Sequence, residues 1–252
     1  MGFMKYRVEE NRKIARRTWL MRLVGSTRML HRPGQFVEIA IPGKFLRRPI
    51  SVSDYDGSGI TLLYDVVGEG TLEMSRLRPG DTLEMLNGLG NGFDVQFGAR
   101  KNVADEVPLL IGGGIGVAPL VGLARELKES GMNPVAVFGF ASGADVSGAD
   151  ELKALGIETH IATADGSLGF KGFVTDLIVS LGRDFGYFYA CGPLPMLRAV
   201  CTQLEIPGQV SMESRMGCGF GACVCCSLEL RSGTARICKE GPVFDKEEVI
   251  WK

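Results

Sequence analysis

The chain has 252 residues, 45% of them hydrophobic and 23% charged, with a formal net charge of −1. That composition suits a folded protein of about two domains at roughly 100–200 residues each, and it lacks the basic stripe of a nucleic-acid binder. No stretch approaches the roughly 18 apolar residues of a spanning helix, and the charged N-terminal run MGFMKYRVEENRKIARRT reads as neither signal peptide nor membrane anchor; the expected compartment is the cytoplasm, where stable disulfides are rare.

Residues 1–100 read as β-rich. Short runs with β-branched and aromatic residues at 18–24, 35–41, 49–53, 60–67 and 82–86 are separated by Pro33-Gly34, Pro42-Gly43, Asp56-Gly57 and Pro79-Gly80. Close-spaced strands of this kind predict a small barrel or sandwich, interrupted by one helix at 71–77. From residue 101 the pattern changes. Strands at 107–111, 135–140, 158–163 and 187–190 alternate with helices at 120–130, 149–155, 174–181 and 194–203, which predicts an α/β domain on a parallel sheet. The last stretch, 208–252, is rich in Gly and Cys and too short for a large core of its own. The expected units are 1–100, 101–207 and 208–252.

Within the first unit, Arg47-Arg48-Pro49-Ile50-Ser51 opens a predicted strand, and Leu63-Tyr64-Asp65-Val66-Val67-Gly68-Glu69-Gly70-Thr71 runs into a helix. An arginine at a strand start suits a diphosphate, and Gly68, Gly70 and Thr71 would offer N–H groups to the same anion at a helix N-terminus. Tyr64 could lie against a flavin ring or bond its ribityl chain. Singly, each piece is also what an ordinary strand start or an N-capped turn contains.

The second unit carries Gly112-Gly113-Gly114-Ile115-Gly116-Val117-Ala118-Pro119 between a strand and a helix, a place where backbone can approach a diphosphate. The pattern G-x-G-x-x-G fails in both registers, ending on Val117 or Pro119, and no acidic ribose-binding residue occupies the next strand. A tight strand–helix turn is the plain alternative. Residues 139–150 hold no Lys or Arg, which favours NAD over NADP. Cys191-Gly192-Pro193 follows the last predicted strand, and a buried structural thiol is its plain alternative.

Five of the seven cysteines fall between Cys218 and Cys238. Cys218, Cys223, Cys226 and Cys238 form C-x4-C-x2-C followed by eleven residues and C, the plant-type [2Fe–2S] spacing. Three thiolates can come from one tight loop, and the fourth must return from elsewhere. Gly217, Gly219 and Gly221 would let the loop turn sharply and aim N–H groups at the sulfurs. The alternatives are a four-cysteine zinc site, which usually pairs two short hooks, and unligated core cysteines. Cys225 could compete with Cys226, but the spacing from Cys223 favours Cys226. The two histidines, His31 and His160, leave little room for a histidine-rich metal site or a Ser–His–Asp triad.

The layout resembles the ferredoxin reductase superfamily, an Arg-x-x-Ser flavin barrel followed by a pyridine-nucleotide domain. With the cysteine loop and Cys238-Lys-Glu-Gly-Pro-Val-Phe244 it resembles the electron-transfer subunits of class 1B dihydroorotate dehydrogenases over nearly the whole chain. The resemblance implies a β-barrel FAD domain, an α/β NAD domain and a [2Fe–2S] domain. It implies FAD contacts from Arg48, Pro49, Ile50, Ser51, Leu63, Tyr64, Asp65, Gly70 and Thr71. It implies NAD contacts from Gly113, Gly114 and Gly116, with Cys191 and Gly192 near the nicotinamide–flavin contact. Asp65 departs from the family, which often has a basic residue there, so its contribution is expected through backbone only. The implied partner is an FMN-containing dihydroorotate dehydrogenase subunit, in a heterotetramer with two of each subunit. Electrons would run from dihydroorotate through that FMN, then the cluster and FAD, to NAD+, a step of pyrimidine biosynthesis. No acid–base set for a carbon substrate is evident on this chain. A flavin/[2Fe–2S] subunit of an NAD(P)H:ferredoxin or sulfide-reducing complex is the alternative, and a zinc-tailed binding protein is a third reading of a different class.

Overall fold

The computed structural model describes residues 2–103 and 106–251. Six antiparallel strands, β1 (Gly2–Lys13), β2 (Thr18–Val24), β3 (Phe36–Ile39), β4 (Arg48–Tyr55), β5 (Gly59–Asp65) and β6 (Thr82–Leu89), close a barrel in the order β1-β2-β5-β4-β3-β6. Closure leaves no strand edge to pair with another chain. Sequence reading passed over β1 because its charges conceal a period of two. Tyr6 and Val8 point into the core while Lys5, Arg7 and Glu9 face solvent. Helix α1 (Glu69–Arg76) packs Met74 into the barrel core. At its C-terminus, where carbonyls run short of helical partners, Asn11 Nδ2 donates at 2.9 Å each to Leu77 O and to Met74 O, the latter also accepting the Leu77 cap N–H. Tyr64 holds that amide in place by donating to Asn11 Oδ1 at 2.9 Å.

Beyond the short helix α2 (Phe97–Arg100) a second layer begins. Strands β7 (Pro108–Gly113), β8 (Val135–Phe140), β9 (Glu158–Thr163), β10 (Phe170–Lys171), β11 (Tyr187–Cys191), β12 (Gly208–Ser211) and, later in the chain, Val243–Asp245 form one sheet. Its strands are parallel except the last, which runs antiparallel to β12. Helices α3 (Ala118–Glu129), α4 (Ala149–Ala154), α5 (Val174–Ser180) and α6 (Leu194–Gln203) complete the α/β layer. The central strands β7 and β11 are buried along their whole length, as their continuous apolar runs predict.

The cysteine stretch is not appended to this layer but inserted in it. It leaves from β12, forms the hairpin β13 (Ser227–Leu230) and β14 (Gly233–Arg236), and returns as β15 (Val243–Asp245). The unit expected from 208 therefore starts inside the second unit's sheet. The outer bounds 1 and 252 lie outside the described residues. Its few apolar side chains, Ala235, Ile237 and the thiols Cys226 and Cys238, join a core shared with Phe36 and Leu86 of the barrel and Phe188 of β11.

Barrel and sheet are fastened at several points. Arg125 of α3 donates to Asp54 at 2.9 Å, and a Cβ on Gly122 would stand 2.8 Å from Ser53 O, so only glycine lets the helix lie on β4. Arg16 grips Asp145 through two bonds of 2.8 and 2.7 Å. Asn91 donates to Val243 O and accepts from Val243 N, pinning β15 to the end of the barrel. Among the described residues no helix is long and apolar enough to cross a membrane.

Candidate functional site

One cavity of about 440 Å³ lies where the three parts meet. Arg48, Pro49, Ile50 and Ser51 of β4, Leu63, Tyr64 and Asp65 of β5, and Thr71 of α1 all line it. The antiparallel pairing of β4 with β5 brings the two sequence segments together. Gly70 does not line the cavity and has a different task. A Cβ there would meet Arg48 Nε at 2.2 Å, so the missing side chain lets the guanidinium lie against the start of α1. Thr71 Oγ1 accepts from Val67 N at 3.0 Å and donates to Gly68 O at 3.1 Å, which fixes the helix entry. A cation beside the open N–H groups of a helix start is suited to a diphosphate, and the apolar walls given by Ile50, Leu63 and Tyr64 suit a ring. The donor set fits FAD.

Asp65 is not the unfavourable charge it looked to be. Its carboxylate accepts from Thr18 Oγ1 at 2.6 Å and pairs with Arg17 Nε at 2.7 Å. Arg17 itself lines the cavity, so a cation stands there although it comes from the β1–β2 turn rather than from the position after the tyrosine. No signal in the linear sequence links residues 17 and 65; only the pairing of Thr18 with Asp65 does.

The nucleotide loop and the segment after β11 interlock backbone to backbone. A Cβ on Gly116 would stand 2.5 Å from Cys191 O, and one on Gly192 3.0 Å from Gly113 N. A Cβ on Gly113 would strike Met196 Sδ at 2.5 Å. Gly114, with φ +53°, has nothing near its Cβ position and leaves the loop open to an approaching phosphate. Gly113, Gly114, Gly116, Cys191 and Gly192 are thus gathered in one place. The Cys191 thiol is fully buried, and burial pushes its pKa well up, with Glu213 adding to the rise and a Ser211 hydrogen bond opposing it. Cys191 therefore presents backbone rather than a reactive thiolate. Ile115 and Ala118 of the same loop line the flavin cavity.

A separate cleft of about 550 Å³, lined by Ser142, Gly143, Asp165, Ser167 and Arg16, opens past the carboxyl ends of β8 and β9, where open α/β sheets bind ligands. Residues 139–150 contain no cation, but the fold brings Arg16 to them from the barrel. Asp145 holds it in a two-bond pair.

In the cysteine loop, backbone N–H groups point at the sulfurs and the thiols fall into pairs. Ala222 N and Cys223 N donate to Cys218 Sγ at 3.3 and 3.4 Å, and Cys238 N to Cys226 Sγ at 3.4 Å. Gly219 and Gly221 take φ +76° and +90°, and Arg236 holds the carbonyl of Gly221 at 2.8 Å. Gly217 has no such backbone need; a Cβ there would crowd Cys223 Sγ at 3.2 Å. The side chains of Cys218 and Cys223 hydrogen-bond each other, and so do those of Cys226 and Cys238. Among the described residues no three His, Cys, Asp or Glu gather tightly enough for a single ion. Two pairs of thiols suit a [2Fe–2S] cluster, each iron taking one pair, better than a lone tetrahedral zinc. Cys226 and Cys238 are 1% and 2% exposed, whereas Cys223 and Cys225 face solvent.

Sequence reading missed Glu38. It sits on β3, 1% exposed, with neither carboxylate oxygen hydrogen-bonded. A Cβ on Gly219 would stand 2.6 Å from Glu38 Oε1, so the carboxyl abuts the cysteine loop. Burial lifts its pKa to about 7, with Arg47 and Arg48 pulling down and Cys218 pushing up.

The family model for the iron–sulfur cluster binding domain of dihydroorotate dehydrogenase B matches residues 213–250, and that for the oxidoreductase NAD-binding domain matches 110–202. The chain is 40% identical to the dihydroorotate dehydrogenase B (NAD(+)) electron transfer subunit of Fusobacterium nucleatum, over 96% of each chain. It is 41% identical to that of Geobacillus kaustophilus, over 99% of each. Its fold superposes with a TM-score of 0.86 on a chain from the structure of an NADH-dependent reduced ferredoxin-NADP oxidoreductase, at 30% identity, covering 98% of this chain and 90% of that one.

Proposed function

The chain belongs to the family of dihydroorotate dehydrogenase B (NAD(+)) electron transfer subunits, and from that premise we propose that it relays electrons between a partner dihydroorotate dehydrogenase subunit and NAD+ through its own [2Fe–2S] cluster and FAD. The observation that carries this reading is spatial. The run 211–216 that leads into Cys218 contributes Ser211, Met212, Glu213, Ser214 and Met216 to the wall of the flavin cavity. The cavity and the cysteine loop are therefore neighbours, with Met216 of the cavity wall two residues from Cys218. Bound FAD supplies the conversion between hydride transfer, two electrons at once, and the single-electron steps of an iron–sulfur cluster.

In this reading the chain's own residues bind and orient. Arg48 and Arg17 face the diphosphate, Thr71 fixes the start of α1, and Pro49, Ile50, Ser51, Leu63 and Tyr64 wall the flavin. Gly113, Gly114, Gly116, Cys191 and Gly192 form the floor on which the nucleotide lies. Cys218 and Cys223 hold one iron, and Cys226 and Cys238 the other. The units 1–100, 101–207 and 208–252 take these three tasks in turn, although β12 and β15 of the last belong to the sheet of the second. The partner carries FMN and the dihydroorotate site, two copies of each subunit assemble, and the complex works in the cytoplasm, where free thiols persist for cluster assembly. The NADPH-linked alternative has a 30% identical neighbour in its favour, against 40–41% for the curated relatives.

The test is coupling. The purified chain mixed with the partner should reduce NAD+ at the expense of dihydroorotate, and neither protein alone should. A pair with both flavins and the cluster bound that shows no dihydroorotate-dependent NAD+ reduction would refute the assignment.

A further inference from the structure

Cys225 has no role in the four-thiol set. Its sequence position, directly before Cys226, suggests competition with that ligand, but the structure separates the two. Cys226 is buried and pairs with Cys238, while Cys225 is exposed and pairs with Cys223. A Cβ on Gly217 would meet Cys223 Sγ at 3.2 Å and Cys225 Sγ at 3.6 Å, so both sulfurs stand over the same glycine. Cys223 accepts from the backbone N–H of Cys225, and the two side chains hydrogen-bond each other. Cys225 also lies within electrostatic range of Cys218 and Cys226.

The residue between the two thiols points the same way. Val224 adopts φ +53°, a left-handed conformation unfavourable for a β-branched side chain. The loop accepts that strain and so keeps Cys223 and Cys225 side by side.

We propose that Cys225 is a reserve ligand, able to replace Cys223, and not Cys226, at the solvent-facing iron of the cluster. This rests on the [2Fe–2S] reading above. In the exchange the Cys223 sulfur leaves as the Cys225 sulfur binds, and the Cys225 S–H proton passes to Cys223 along the hydrogen bond joining them. The count of sulfur ligands is unchanged and no electron moves, so no oxidant is needed.

The test uses the full chain, purified without oxygen with its FAD. Iron and acid-labile sulfide per chain, and the EPR spectrum after dithionite reduction, are measured for wild type, Cys223→Ala, Cys225→Ala, Cys226→Ala and Cys223→Ala/Cys225→Ala. Cys225→Ala should match wild type in iron, sulfide and EPR spectrum when kept without oxygen. Cys223→Ala should keep most of its iron with a shifted EPR spectrum. The double variant and Cys226→Ala should lose the cluster. Cluster loss from Cys223→Ala with FAD still bound would overturn the proposal, and so would cluster loss from Cys225→Ala alone. If Cys223→Ala does not fold, Cys225→Ala decides. Its absorbance should bleach severalfold faster than wild type in air, and an equal rate would overturn the proposal. A wild-type chain that binds no [2Fe–2S] cluster would instead refute the functional reading itself.

Discussion

Arg17 Nε lies 2.7 Å from Asp65 Oδ2, across the pairing of β2 with β5 and at the rim of the flavin cavity. Asp65 is nearly buried and Arg17 is more than half exposed, so the acid is the fixed member and the guanidinium the aimed one. Arg17→Ala should weaken FAD retention by roughly tenfold, the scale of one charge-assisted hydrogen bond. Asp65→Asn should weaken it through loss of aim, and the double variant should be little worse than Arg17→Ala. FAD dissociation constants from fluorescence recovery would show this non-additivity; additive losses would mean that the two residues act separately.

Asp145 restrains a second arginine. Freed from it by Asp145→Ala, Arg16 would stand at the cleft past β8 and β9 with its charge unpaired. The ratio of NAD to NADP efficiency should then fall by about tenfold, the worth of one charged contact to a 2′-phosphate. Steady-state reduction of an artificial acceptor by NADH and by NADPH would measure it.

Glu38 makes stability depend on pH in a predictable direction. Its carboxyl has an ordinary value of 4.5 when unfolded and about 7 when folded. Below 4.5 it is protonated in both states and makes no difference. Between 4.5 and 7 the unfolded chain loses the proton first, so stability falls as pH rises, and above 7 the penalty is constant. Glu38→Gln should therefore match wild type near pH 4 and exceed it at pH 8 by about 2 kcal/mol, a figure lowered for residual solvation. Thermal midpoints at the two pH values would check both sign and window.

Val224→Gly removes a β-branched side chain from a left-handed position. Relief of that strain, offset by the extra freedom of glycine in the unfolded chain, should stabilise the protein by about 1 kcal/mol. The thermal midpoint should rise. The cluster should also bleach faster, because Cys225 is no longer held beside Cys223.

Much of this was legible in the sequence because the signals were local. The C-x4-C-x2-C spacing, the strand–glycine–helix run at 110–120 and the alternation of strands and helices after residue 101 each occupy one short window. What escaped depends on contact between distant residues. β1 was hidden by its charges, and β12 and β15 are too short to show a period. Arg17 reaches Asp65, Arg16 reaches Asp145 and Glu38 reaches Gly219 only after the barrel has closed and packed on the sheet. That Cys225 stands beside Cys223 is equally hidden, because adjacency along the chain says nothing about which way a thiol points when the residue before it turns left-handed.

The central claim is that flavin and cluster on this one chain form a connected electron path to NAD. Anaerobic titration of the isolated chain with NADH, followed by absorbance and EPR, tests it directly. The account predicts flavin bleaching followed by the EPR signal of a reduced [2Fe–2S] cluster in the same sample. Flavin that bleaches fully while an intact cluster stays oxidised, at a potential NADH can reach, would contradict it.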